Sequence, residues 1–373
     1  PALLRIFFLG VMLATAALLF ASTYLRPNTF TTLDWAINYA DGFVRRGLVG
    51  AVLLPLSEAT GLAMIHLIFS LNLALYATFL GAAYLLIAGL GFPATAVLLV
   101  YSPFFVTYQV SSWASAGRKE IAFLAAFALL CLALSRARTP RGDLVLFGAF
   151  AVVMPALVLV HEATAFFAAW ALAAAIALGT LQAAPGRLAL MALPTLVAFA
   201  AVLLAPADEG TVEAICAALS GTLGSARLES ACATSDTAVV WLMRETADGI
   251  GAVGYFLPQL VVGLPAALIL VGLAFVPLAG ALKALPETTR RRFWIGSGLA
   301  ASSGLPLYVV AFDWGRFVAV QAICFALVLL AVLGRHRAAL AVRGWVPGVA
   351  LVLVYALFWS GQYKPLRFEP GYT

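Results

Sequence analysis

Apolar residues fill this chain in long blocks, separated by short polar segments. A window of about nineteen residues places those blocks at roughly 3–25, 61–89, 93–110, 120–135, 144–160, 163–180, 188–205, 252–281, 293–312, 317–334 and 345–361. A helix that crosses a bilayer needs about 20 mostly apolar residues. The pattern therefore predicts an all-α, polytopic integral membrane protein with about eleven transmembrane helices. The run Gly47–Pro55 is apolar but too short to span, which predicts a helix lying in the interface or re-entering the membrane. The first block follows a lone Arg5 without a small-residue cleavage site at signal-peptide distance, so it is expected to be a retained helix. The expected organisation is one transmembrane domain over 1–373, a first outer loop with its interfacial helix at 26–60, and a second outer loop at 206–251.

Composition strengthens this reading. Of 373 residues, 64% are hydrophobic and 10% charged, whereas a soluble domain is about a quarter charged. The mean hydropathy is +1.04. Nucleic-acid binders and soluble enzymes are excluded as classes, and the prominence of Arg, Ala and Leu suggests a GC-rich bacterial source. The net charge of +6 has to be divided by side. Placing Arg5 inside and alternating the blocks puts 12 basic and 2 acidic residues in the inner loops, against 10 basic and 14 acidic outside. That bias is the one the positive-inside rule reads. It predicts a bacterial inner membrane protein with a cytoplasmic N-terminus and a periplasmic C-terminus.

The outer segment 206–251 holds Cys216 and Cys232, which an oxidising compartment would let pair as a disulfide; Cys131 and Cys324 lie in apolar blocks and are expected to stay thiols. This loop reads either as a lid that shapes a substrate site or as a small stapled loop without chemistry.

Four polar clusters interrupt the apolar sequence. They are DWAINYADGFVRRG with Asp34, Asp41, Arg45 and Arg46, SSWASAGRKE with Arg118, Lys119 and Glu120, VHEAT with His161 and Glu162, and FDWGRF with Asp313 and Arg316. All map to outer helix ends, and ionisable residues near a membrane are costly enough to mark function. Arg45, Arg46, Arg118, Lys119 and Arg316 run against the inner bias for positive charge. Arg forks bind phosphate bidentately and Lys adds a compact charge, so these five are candidate phosphate ligands. Asp41, Glu120, Glu162, His161 and Asp313 are candidate acid–base groups. No metal ligand set is assigned and no cofactor is required, although a divalent cation would fit among the acids. Bland roles compete with each of these: a lipid-anchored interfacial helix for Arg45 and Arg46, a salt-bridged helix start at Arg118–Glu120, a hydrogen-bonded His161–Glu162 pair, and a closed Asp313–Arg316 ion pair. The chain has no Walker loop, HExxH, GxSxG or paired CxxC motif.

A first span, an outer loop with acids Asp34 and Asp41, an Arg-bearing interfacial segment and a long run of spans together resemble the GT-C superfamily of polyprenyl-phosphate-dependent glycosyltransferases. In that superfamily an acid of the first outer loop contributes to catalysis; by position Asp41 is the closest match and Asp34 the second. ADGFVRR is similar to the acidic-plus-Arg stretch of aminoarabinose and mannosyl transferases but lacks their paired acids, and FDWGRF looks like bacterial polysaccharide polymerases and O-antigen ligases. The resemblance implies a GT-C-like fold and transfer of a sugar from a polyprenyl-phosphate or -pyrophosphate donor to a glycan or lipid acceptor at the periplasmic face. Membrane lipids are the other partners, and nucleic acid is not one. A lipid or polysaccharide transporter or flippase, an outer-face acyltransferase with His161 as base, and a noncatalytic membrane assembly subunit are the alternatives.

Overall fold

The computed structural model describes residues 2–90, 99–100, 102, 104–108, 116–137, 139–180, 185–205, 207–234, 237–336, 359–360 and 369–370. Its helices in chain order are α1 (Ala2–Phe20, continued by a π turn Ala21–Leu25), α2 (Thr31–Ala36), α3 (Leu48–Thr60), α4 (Met64–Gly89), α5 (Glu120–Arg136), α6 (Pro140–Val160), α7 (Thr164–Phe167) and α8 (Ala169–Ala177). They continue with α9 (Pro185–Leu203), α10 (Glu209–Leu219), α11 (Ala226–Ala231), α12 (Thr246–Phe275), α13 (Ala279–Lys283), α14 (Glu287–Ser303), α15 (Leu305–Val310) and α16 (Trp314–Arg335). Two-residue strands Trp359–Ser360 and Glu369–Pro370 pair antiparallel.

Local chemistry sets several boundaries. Thr139 accepts the Gly142 N–H ahead of Pro140 at the start of α6, and Asp208 accepts the Thr211 N–H at the start of α10. Glu245 and Asp248 form a reciprocal capping box on α12. Gly61 closes α3 in the left-handed conformation that glycine adopts without penalty.

Among the described residues, seven helices are long and apolar enough to cross a membrane: Leu4–Leu25, Met64–Gly89, Pro140–Val160, Pro185–Leu203, Thr246–Phe275, Glu287–Val310 and Trp314–Arg335. The protein is thus an all-helical membrane protein, with fewer described spans than the eleven expected. The block at 120–135 is a 17-residue helix, and the block at 163–180 breaks at Ala168 into α7 and α8. The blocks at 93–110 and 345–361 lie largely outside the described residues. The short Gly47–Pro55 run is helical within α3, which is 13 residues long.

The centre of the bundle is α16, 94% of whose apolar window is buried, against 17–44% for the other six candidate spans. The outer helices keep large apolar side chains exposed, Val152 at 79% and Val262 at 76%, as lipid-facing surfaces do. Apolar side chains gain little by leaving lipid, so close packing holds such a bundle together. Gly296 of α14 shows this. A Cβ there would lie 2.9 Å from the Ala173 carbonyl oxygen and 3.0 Å from its Cα, so α14 and α8 approach closely only because that atom is missing.

The helices gather polar residues at two opposite ends. At one end Arg335 of α16 pairs with Asp143 of α6, donates from Nε to the Leu134 carbonyl at 2.8 Å, and Thr180 donates to Asp143 at 3.0 Å. The other end carries the N-termini of α5, α7 and α16 and the C-terminus of α6. The length of α16, 22 residues or about 33 Å, separates the two.

Candidate functional site

Two hydrogen bonds fix the backbone at this second end. Trp35 Nε1 donates to the Gly117 carbonyl at 2.6 Å, and the Gly117 N–H donates to the Tyr76 hydroxyl at 3.2 Å. Gly117 has φ +75°. The turn it makes delivers Arg118, Lys119 and Glu120 at the start of α5. On the facing segment Arg46 itself has φ +66°, a left-handed backbone that costs a non-glycine residue about 1–2 kcal/mol. Gly50, one turn into α3, lies directly against the carbonyl oxygen of Ile37, so α3 packs onto the segment that carries Asp34.

All four polar clusters meet here in one continuous chain of charges. Asp34 Oδ1 lies 3.4 Å from Lys119 Nζ and 3.9 Å from Arg46 Nη1. Lys119 Nζ also donates to the Arg46 carbonyl at 2.8 Å, and Arg46 grips Glu162 through Nε at 2.7 Å and through Nη2. His161 Nδ1 is 3.3 Å from Glu162 Oε2, while its Nε2 is 3.1 Å from Glu120 Oε1. Glu120 Oε1 then meets Arg316 Nη1 at 3.0 Å, and Arg316 Nη2 meets Asp313 at 3.0 Å. Asp34, Glu162, Glu120 and Asp313 thus face Arg46, Lys119 and Arg316, with His161 set between two of the acids.

The network is graded from inside to outside. The Lys119 side chain is wholly buried, whereas Arg46 and Glu162 keep 19% and 17% of theirs exposed. Those two are its most exposed pair, followed by Asp313 at 14%. Burial pulls the Lys119 ammonium below its ordinary value despite Asp34. Burial also works against a charged His161, but Glu120 and Glu162 outweigh it and raise the imidazole above its ordinary range. For Glu162, burial favours the neutral acid, yet Arg46 and His161 hold the carboxyl well below the usual carboxylate range.

Asp41 and Arg45 lie outside the chain of charges, and Arg118 stands beside it on an aromatic ring. Asp41 is exposed and accepts a 3.1 Å hydrogen bond from Thr211, so the acid that the resemblance ranked first stands outside the network. Asp34, ranked second, is inside it. The reason is helical: Asp34 sits in α2, buried against the bundle, while Asp41 falls in the turn beyond. Arg45 Nη2 donates to the carbonyls of Trp241, Leu242 and Arg244 at 2.9 Å each, tying down the 237–245 segment and pointing away from its neighbour's partner. Arg118 stacks 4.9 Å over the Phe30 ring. Tyr76, which pins Gly117, is a structural contributor that no sequence signal marked, since a tyrosine in an apolar helix is ordinary.

Residues 207–234 and 237–245 form a small helical cap. Cys216 and Cys232 form a disulfide with Cα atoms 5.7 Å apart, and Cys131 and Cys324 are free buried thiols. Ile215, Leu219, Leu223 and Leu228 are fully buried beneath the cap. Among the described residues, no group of three or more His, Cys, Asp or Glu side chains is arranged to hold a metal ion.

The chain belongs to the family described as "Uncharacterised membrane protein Rv1490", whose model matches residues 5–248. That range covers three of the four clusters and the cap, and leaves out Asp313 and Arg316. Neither the curated proteins nor the solved structures compared with the chain gave a match.

Proposed function

We propose that this protein is a GT-C-like glycosyltransferase of a bacterial inner membrane, which moves a sugar from a polyprenyl-phosphate or -pyrophosphate donor to a glycan or lipid acceptor at the periplasmic face. The supporting observation is the convergence of four sequence-distant polar clusters on one largely buried network, with Arg46 and Glu162 its most exposed pair. The basic residues Arg5, Lys283, Arg290 and Arg335 favour the cytoplasm for the opposite end.

The chemistry follows from that pair. Glu162 gripped by Arg46 is a weak base. A donor phosphate is a better bidentate partner for the guanidinium, and its arrival releases Glu162 to His161 alone, with a higher proton affinity. Glu162 then takes the proton of the acceptor hydroxyl as that oxygen attacks the anomeric carbon. The sugar–phosphate bond breaks, and its electron pair stays on the phosphate beside Arg46. His161, backed by Glu120, holds the relay in one orientation, and Lys119, held by Asp34, fixes the Arg46 backbone. Asp313 and Arg316 complete the charge balance behind Glu120. A divalent cation is an optional addition at the donor phosphate.

The test uses the purified chain in lipid nanodiscs with a panel of polyprenyl-phosphate and -pyrophosphate sugars, measuring release of the free lipid phosphate. Wild type turns over at least one donor, and Glu162→Gln, close in shape to the native residue, loses about 100-fold or more in rate. Turnover by Glu162→Gln equal to wild type sinks the proposal. One observation favours a second reading, a noncatalytic assembly subunit: the network is closed, with an acid facing each of Arg46, Lys119 and Arg316. In that case no donor is consumed, and the same variant changes the proteins that copurify with the chain.

A further inference from the structure

A second cationic feature stands apart from the closed network. Arg26, Pro27, Asn28, Thr29 and Arg227 line a cavity of about 560 Å³, within the roughly 300–1,000 Å³ of small-molecule sites. The two arginines are 201 residues apart in sequence, yet face one space. Among the described residues no acidic side chain lines it, and neither guanidinium has a carboxylate within ion-pair distance. Two guanidinium groups that face one space with no carboxylate between them leave their donors available to an anion.

Both walls are built. Arg26 follows the first span directly; its N–H donates to the Ala21 carbonyl, and the Asn28 N–H donates to the Ser22 carbonyl, both at 2.8 Å. Asn28 Oδ1 accepts the N–H groups of Phe30 and Thr31 at 3.0 Å, which fixes the loop. Opposite, Arg227 stands on α11, seated by the fully buried Leu228 and by the disulfide at Cys232. The next residue of the loop, Phe30, carries Arg118 over its ring and meets Trp241 at 5.9 Å, so the cavity adjoins the polar end of the bundle.

We propose that Arg26 and Arg227 form an anion site for a phosphate-bearing group. The position one residue beyond a membrane span suits a phospholipid or polyprenyl headgroup, and the same guanidinium chemistry takes a free phosphate or pyrophosphate. The site requires no transfer reaction, and it stands or falls independently of the glycosyltransferase reading.

The experiment uses the full chain in two kinds of nanodisc. In discs of phosphatidylcholine alone, inorganic pyrophosphate is titrated; in discs containing phosphatidic acid, retained lipid is counted by native mass spectrometry. Either pyrophosphate binding or phosphatidic acid retention is expected, and which of the two occurs identifies the source of the phosphate. Both residues are exposed, so R26A/R227A should fold, and it should weaken that binding by about tenfold or more, while R26K/R227K keeps part of it. Glu162→Gln should leave it unchanged even where transfer is lost. Binding of neither probe to wild type, or equal binding by wild type and R26A/R227A, overturns the proposal.

Discussion

His161 stands between two acids, with Nε2 3.1 Å from Glu120 Oε1 and Nδ1 facing Glu162, and so joins a helix start at residue 120 to a helix end at residue 160. Removing it leaves the buried Glu120 facing the partly exposed Glu162 with less positive charge, while Arg316 and Arg46 stay on them. Leaving a buried charge without any partner costs about 3–5 kcal/mol, and the remaining arginines hold this deletion below that. His161→Ala is therefore expected to lower the thermal midpoint of the detergent-solubilised chain clearly, and Glu120→Gln in that background to restore part of the loss. A midpoint equal to wild type in His161→Ala would place the imidazole outside the network.

The pH dependence of stability has a definite sign on each side. The His161 value is raised above its ordinary 6.5, so its contribution is complete below that value and is lost as pH rises through the higher folded value. The Glu162 value is depressed below its ordinary 4.5, so its contribution is complete above that value and fades only as pH falls well below it. The expected stability plateau runs from about 4.5 to 6.5, with a decline on the alkaline side. His161→Gln should flatten that alkaline decline in thermal melts taken across pH; an unaltered profile assigns the decline to other groups.

Arg46 combines a left-handed backbone with a bidentate grip on Glu162, and substitution can separate the two. Arg46→Ala loses the grip and keeps the strained backbone, whereas Arg46→Gly loses the grip and relieves the strain. Gly is expected to be the milder change by about 1 kcal/mol. Equilibrium unfolding of the two variants gives the difference directly, and Ala as the milder substitution would contradict the turn geometry.

The cap over 207–234 and 237–245 is held by the Cys216–Cys232 disulfide and by three carbonyls on Arg45. Closing a loop of this size is worth about 3 kcal/mol. Reduction, or Cys216→Ser with Cys232→Ser, is expected to expose the cap to limited proteolysis while the spanning helices stay protected. Arg45→Ala should open it further in the reduced chain. Cleavage within the spans, or none anywhere, would show that the cap is not an independent unit.

Hydrophobic spacing alone determined the membrane class and most of the long helices, because those depend on neighbours a few residues away and on bilayer thickness. The same local logic singled out Glu162, His161, Lys119 and Arg316, since charge is costly wherever sequence is apolar. Tertiary structure decided which charges meet. Asp34 and Asp41 are seven residues apart in one polar cluster, and only the burial of α2 puts Asp34 beside Lys119 and leaves Asp41 on Thr211. The break of 163–180 into α7 and α8, the central burial of α16 and the joint cavity of Arg26 and Arg227 likewise depend on contacts between distant segments. Hydropathy averages over a window and carries no record of which helix stands next to which.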